Sequence, residues 1–262
     1  MSNLVRSELT KIVSTRLWWG LLIGVVIYTL INAGVTAGFA GVDPGAGQEA
    51  SPGLDQPEAL RGVYAAAAFT GAYIFALVLG VTGMTGEHRY QTVTPTFLAT
   101  PRRSRVVVAK ALAHLGVGIG YGAVAVVTAL AAGGTVVLLR GFDLGLGTQG
   151  LWRAVLLGVL AVGAWTLVGL GIGTLIRNQV AAILVAVAIT FLVEPLLSVG
   201  LGAADLDEIG KFLPSSASSA MTSPPSPFLD LLPWWAGALV LLGYAVLFAG
   251  LGVLLSVRRD VT

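Results

Sequence analysis

The chain has 262 residues, of which 56% are hydrophobic and only 11% charged, against about 25% charged in soluble globular proteins. Its mean hydropathy of +0.88 leaves too little polar surface to coat a water-soluble particle and excludes intrinsic disorder. No cysteine is present, which removes disulfide scaffolds and thiolate metal sites, and two histidines, His88 and His114, are too few for a two-haem membrane cytochrome. The composition predicts an all-α integral membrane protein forming one transmembrane domain over 1–262.

In chain order, residues 1–16 form the first element. On a helix, Val5, Leu9, Ile12 and Val13 share one face and Ser7, Thr10, Lys11 and Ser14 the other, the pattern of an amphipathic helix lying in the membrane interface. Its blander alternative is a basic flank that orients the first span. Trp18 and Trp19 follow, where the headgroup belt favours indole rings. A spanning helix needs about 20 mainly apolar residues. Six runs meet this requirement, at 17–39, 63–81, 111–139, 154–176, 180–201 and 234–257. The first run is longer than the ~7–15 residues of a signal-peptide core, so it reads as a retained span.

Orientation follows from the lysines and arginines. With the amino-terminus inside, the inner segments hold Arg6, Lys11, Arg16, Arg89, Arg102, Arg103, Arg105, Lys110, Arg177, Arg258 and Arg259. The outer segments hold only Arg61, Arg140, Arg153 and Lys211. Both termini are therefore expected in the cytoplasm. The net charge of +2 is then a topological signal and does not point to nucleic acid.

The connections differ in character. The first outer loop, 41–60, has Pro44, Pro52 and Pro57 among glycines and acids, which argues against regular structure. The cytoplasmic loop, 84–105, contains Thr94-Pro95 and Thr100-Pro101. Thr is a helix cap and Pro a first helical residue, so a short helix at about 92–99 and a second helix leading into span 3 are expected. The long apolar run of span 3 predicts that its first turns, with Lys110, project into the cytoplasm. The outer segment 202–233 is too proline-broken to span yet too apolar to float free, which suggests short re-entrant helices before span 6.

Catalytic motifs are missing. The one Gly-Lys pair, Gly210-Lys211, lacks the upstream glycine of a phosphate-cradling loop, and no His-Glu-x-x-His cluster exists. Glu194, followed by Pro195, is the one acid within a span. It reads first as a structural acid capping backbone amides freed nearby, and second as a proton-coupling site. Gly20/Gly24, Gly34/Gly38, Gly116/Gly120, Gly118/Gly122 and Gly169/Gly173 fit the small-xxx-small spacing of close helix packing.

Several stretches together carry a family likeness. They are Leu9-Thr10-Lys11-Ile12 with Ser14-Thr15-Arg16-Leu17-Trp18-Trp19, Gly86-Glu87-His88-Arg89, Thr96-Phe97-Leu98-Ala99-Thr100-Pro101-Arg102-Arg103 with Lys110, Glu194-Pro195-Leu196-Leu197, and Phe212-Leu213-Pro214-Ser215-Ser216-Ala217. In this order and on this topology the chain resembles the membrane permease of ABC-2 type transporters, in the style of high-GC Gram-positive bacterial members. It departs from the pattern at Tyr90-Gln91, where such loops often carry a glycine.

The resemblance implies six transmembrane helices, an amino-terminal elbow helix, a cytoplasmic coupling helix between spans 2 and 3, and a place in a bacterial plasma membrane. It implies a second permease copy or a similar permease, and two cytoplasmic ATP-binding cassette subunits. Those subunits would bind ATP and Mg, leaving this chain without cofactor or enzymatic activity. Glu87, Arg89, Arg102 and Arg103 would be polar contacts to the ATPase, with Phe97 and Leu98 as apolar anchors on the helix that Thr94 opens. The alternative for those anchors is the lipid interface. The substrate path, between two permeases, would be lined by Phe69, Thr70, Tyr73, Thr190 and Phe191, and its apolar character suits export of a lipophilic or amphipathic cargo. Rival expectations are a proton-coupled carrier using Glu194 and a non-transporting membrane scaffold.

Overall fold

Helix α1 (Ser2–Ser14) turns sharply at Thr15 into α2 (Leu17–Phe39). The computed structural model of the chain describes residues 1–43, 51–90, 103–176, 178–223 and 231–258, apart from the side chains of 66–68, 88, 103, 249 and 252–258. The expected coupling helix at about 92–99 lies outside the described residues. After α2 come α3 (Pro57–Arg61), a π-helical turn (Gly62–Ala66), α4 (Ala67–Arg89) and α5 (Arg103–Leu139). Then follow α6 (Leu151–Leu175), α7 (Gln179–Ala188), a second π-helical turn (Ile189–Val193) and α8 (Glu194–Ala203). Two short helices, α9 (Asp207–Gly210) and α10 (Pro214–Thr222), precede α11 (Trp234–Arg258). No strand occurs among the described residues.

Five helical stretches are long and apolar enough to cross a membrane: Leu17–Phe39, Pro57–Glu87, Ser104–Leu139, Leu151–Leu175 and Gln179–Ala203. This is the architecture of a multi-pass membrane protein. In α11 the apolar stretch Trp234–Phe248 is shorter than these five.

Packing is centred on α4 and α6. Helix α6 contacts α4 most extensively, then α5 and α11, while α2 lies against α4 and α5. Glycine sets this closeness. A methyl group at Gly80 would collide with the carbonyl of Thr166, and one at Gly169 with the carbonyl of Leu77, so only glycine lets the two backbones meet. Gly20, Gly34 and Gly38 face open space instead. Within this chain, Gly24 is the glycine of those α2 spacings that meets a neighbour closely, the ring of Phe75.

One expectation needs correcting in detail. The proline-rich 41–60 segment is not wholly irregular, because Pro57 opens α3 at a first-turn position where its missing N–H leaves no bond unmade. Span 5 runs on through Pro195, as the run at 180–201 implied. The ladder widens into the π turn at Ile189–Val193 immediately before Glu194 and Pro195, and this wider turn makes room for a ring that cannot donate to the preceding turn. At the end of the bundle remote from α1, Arg140 donates from one guanidinium nitrogen to the carbonyls of Ala37 and Ala40, each at 2.8 Å. It thereby helps close the carboxyl end of α2, whose last carbonyls have no intrahelical donors and where Phe39 accepts from the Val42 N–H and the Ser51 hydroxyl. Gly141, at φ +81°, takes the left-handed conformation that lets the chain leave α5.

Candidate functional site

Helix α1 does not lie with its whole apolar stripe towards lipid. Val5, Leu9 and Ile12 pack against the bundle, while Val13 is 52% exposed. Glu8 falls on the same buried face and is only 4% exposed. An acid there needs partners, since an unpaired buried charge is strongly unfavourable. Its carboxylate meets Lys11 through Oε1 at 2.5 Å and Lys110 of α5 through Oε2 at 2.5 Å. Glu87, at the end of α4, meets Lys110 at 2.9 Å and Lys11 at 3.1 Å through its own Oε1. Two carboxylates and two ammoniums thus alternate in a closed, neutral ring that joins three helices.

Electrostatics in the ring runs in both directions. Burial pushes the Glu8 carboxyl up, but the ammoniums of Lys110 and Lys11 outweigh it and hold the group below the usual carboxylate value. Burial likewise pushes Lys11 down, and Glu8 and Glu87 more than reverse that, so its ammonium is held above the usual value. Both remain charged at neutral pH. A cavity of about 370 Å³ opens beside the ring, lined by its four members together with Thr82, Gly83, Tyr90 and His114.

One turn beyond Lys110, His114 is 1% exposed. Its Nδ1 lies 2.9 Å from the Lys110 carbonyl, which can only accept, so Nδ1 carries the hydrogen and Nε2 presents a lone pair. That Nε2 is buried without a hydrogen-bond partner and sits where any side chain at Gly83 would have to go. The imidazole therefore fills the space between α4 and α5 beneath the ring.

The second constellation surrounds Glu194, which is 4% exposed. Its Oε2 accepts the backbone N–H of Ser215 at 2.8 Å, in the first turn of α10, where helix amides have no intrahelical acceptor. Leu213, the residue at the cap, has no side-chain oxygen, and Pro214 occupies the first helical position. Glu194 thus does from a distance of 21 positions what a serine or aspartate cap usually does locally. Nearby, Tyr73 stacks on Trp165 with ring centroids 4.9 Å apart, and Trp165 donates to the Ser218 hydroxyl at 3.3 Å.

The residues expected to line a path are distributed over different environments. Phe69 is buried against Gly158 of α6. Thr70 and Phe191 are exposed, and Tyr73 is half-buried. Thr190 is buried and returns its hydroxyl to the Ala186 carbonyl at 3.0 Å. Ala182, Ala186, Thr190 and Glu194 form the one buried stripe of span 5, and its remaining apolar side chains are largely exposed.

Of the residues expected at a docking surface, Glu87 points inward into the ring. Arg89 is exposed and donates to Gln179 Oε1 at 3.3 Å. Thr94, Phe97, Leu98 and Arg102 lie outside the described residues, as does the side chain of Arg103, whose backbone opens α5. Glu8 was missed as a site residue. Its signal was an acid at the i+3 position from Val5 and i−4 from Ile12, within an apolar stripe. No group of three or more His, Cys, Asp or Glu that could hold a metal ion occurs among the described residues. Compared with known proteins, the chain matches no family model and no curated sequence.

Proposed function

We propose that this chain is the membrane permease subunit of an ATP-driven exporter of the ABC-2 type. In this reading α11 is the sixth span, α1 is the elbow helix, and both termini lie in the cytoplasm of a bacterium. The observation that carries the reading is the distribution of charge at the α1 end. Arg6, Arg16, Arg89 and Arg105 are exposed there, while Glu8 and Glu87 are withdrawn into the ring. Such an end, basic on its surface, is what cytoplasmic orientation requires, and it suits docking of an acidic groove on an ATP-binding subunit.

Two further observations support the same reading. Helix α5 has 37 residues, so at 1.5 Å per residue it is about 55 Å long and outruns a ~30 Å hydrocarbon core. It can therefore carry a movement from cytoplasm to membrane. Span 5 packs on its own bundle along one narrow stripe only, which leaves apolar surface for a second permease and for lipid. Between two such surfaces, Thr70, Tyr73 and Phe191 would meet a lipophilic or amphipathic cargo. Proton coupling at Glu194 is disfavoured because its carboxylate is engaged at Ser215.

The test is energetic. Cells producing the chain with its partners should expel a panel of lipophilic dyes, and vanadate should stop this while a protonophore should not. Efflux abolished by the protonophore at undiminished ATP would replace this reading with a secondary carrier.

A further inference from the structure

The ring at the α1 end is assembled from residues far apart in the chain. Glu8 and Lys110 are 102 positions apart, and Lys11 and Glu87 are 76 apart. Three of its four side chains are at most 9% exposed, and Lys11 alone, at 39%, reaches water. Each carboxylate touches both ammoniums, so no member is redundant. Two members stand on α1, one at the end of α4 and one near the start of α5.

We infer that α1 is latched by charge to the adjoining ends of α4 and α5 and moves with them as one body, with Glu8, Lys11 and Lys110 as the positioning residues of the latch. An amphipathic helix that merely rested on lipid would turn all its apolar residues there. Here Ile12 goes inward beside Glu8, and Val13 is left outside. An apolar seat formed by Val5, Leu9 and Ile12 alone would bind without the cost of desolvating charges. What the ring adds is register. An apolar stripe tolerates sliding and rotation, whereas two ammoniums that must each meet two carboxylates fix both the rise and the rotation of α1. Fixing register is the best-attested use of buried ionic groups. The helices so joined flank 91–102, the segment proposed above to dock an ATPase. The latch rests on that reading for its part in coupling, but not for its existence.

The absence of native cysteine allows a direct test by spin-label distances in the permease alone, reconstituted in lipid vesicles. One label pair, at Val13→Cys and Val108→Cys, reports α1 against α5. A second pair, at Tyr90→Cys and Ser104→Cys, reports α4 against α5; all four sites are exposed. The exchange E87K/K110E keeps an opposite-charge pair between α4 and α5 but sets like charges against both Glu8 and Lys11. It should broaden the 13–108 distribution and leave 90–104 narrow. Adding E8K/K11E restores every attraction in the ring and should return the 13–108 distribution to its native width.

Should the exchange variant fail to fold, E8Q/K11Q leaves the Glu87–Lys110 pair intact and should give the same selective broadening. A 13–108 distribution that stays narrow in E87K/K110E, or in E8Q/K11Q, overturns the latch. So does a folded fourfold variant that stays broad. None of these readings involves an ATPase, so failure of the proposed docking would leave them standing.

Discussion

Glu8 and Glu194 are buried acids with different tasks, and each task sets its own test. Glu194 supplies an oxygen to one backbone amide. Glu194→Gln keeps an acceptor there and should retain folding and much of the transport. Glu194→Leu strands the Ser215 N–H, at a cost of about 1–3 kcal/mol, and should lower the thermal midpoint in detergent. Equal loss of transport in two well-folded variants would return proton coupling to this site. For Lys110, removal takes away the one fully buried ammonium and leaves Glu8 and Glu87 to share the half-exposed Lys11. Lys110→Met should therefore destabilise the α1 end by about 3 kcal/mol or more, read as earlier unfolding or faster proteolysis of α1.

The sign of the pH response follows from the same residues. Glu8 is held below its ordinary value of 4.5, so its contribution is complete above that pH and is lost as pH falls through the lower native value. Lys11 is held above 10.5, so its contribution is complete below that pH and is lost as pH rises through the higher native value. Docking of α1, followed by the 13–108 label distance, should be flat between 4.5 and 10.5 and loosen outside that range. A transition near neutrality would contradict the account. Of this ring the sequence singled out Glu87 as a site residue, but for a contact to an ATPase and not for a place beside Glu8, Lys11 and Lys110. The ring's members are close only after α4 and α5 pack, and an acid in a short amphipathic stripe resembles ordinary surface charge.

At the scale of elements, the long helices were legible because an apolar run that must cross lipid has a minimum length. The run at 17–39 coincides with α2, and those at 154–176 and 180–201 differ from the helices by three residues or fewer at either end. Local irregularity was less legible. Pro195 marked the place where the ladder is interrupted, but the π turn at Ile189–Val193 that precedes it had no signal of its own. The capping of α10 by Glu194 had a partial signal, an acid beside a proline in a span, but its partner could not be named without the fold. The expected helix at 92–99 gives its own prediction. If Phe97 fills a pocket on an ATPase, Phe97→Ala should cost about 2 kcal/mol or more of subunit affinity while the permease alone stays stable. Unchanged copurification would place Phe97 against lipid and remove it from coupling.

For the whole molecule, orientation and partnership decide the function together. Cysteine introduced at Ser51 or Ser218 should react with an impermeant thiol reagent in intact cells, and cysteine at Ser104 should not; labelling at 104 would invert the arrangement of the basic end. Partnership is the central claim, because the chain carries no phosphate-cradling motif of its own. The most direct measurement is affinity purification of the tagged chain from its native membrane, followed by identification of bound proteins and assay of ATP hydrolysis. The account predicts a stoichiometric cytoplasmic ATP-binding subunit whose vanadate-sensitive hydrolysis travels with the permease. A chain that purifies without any ATP-hydrolysing partner, under conditions that preserve its folded bundle, would contradict it.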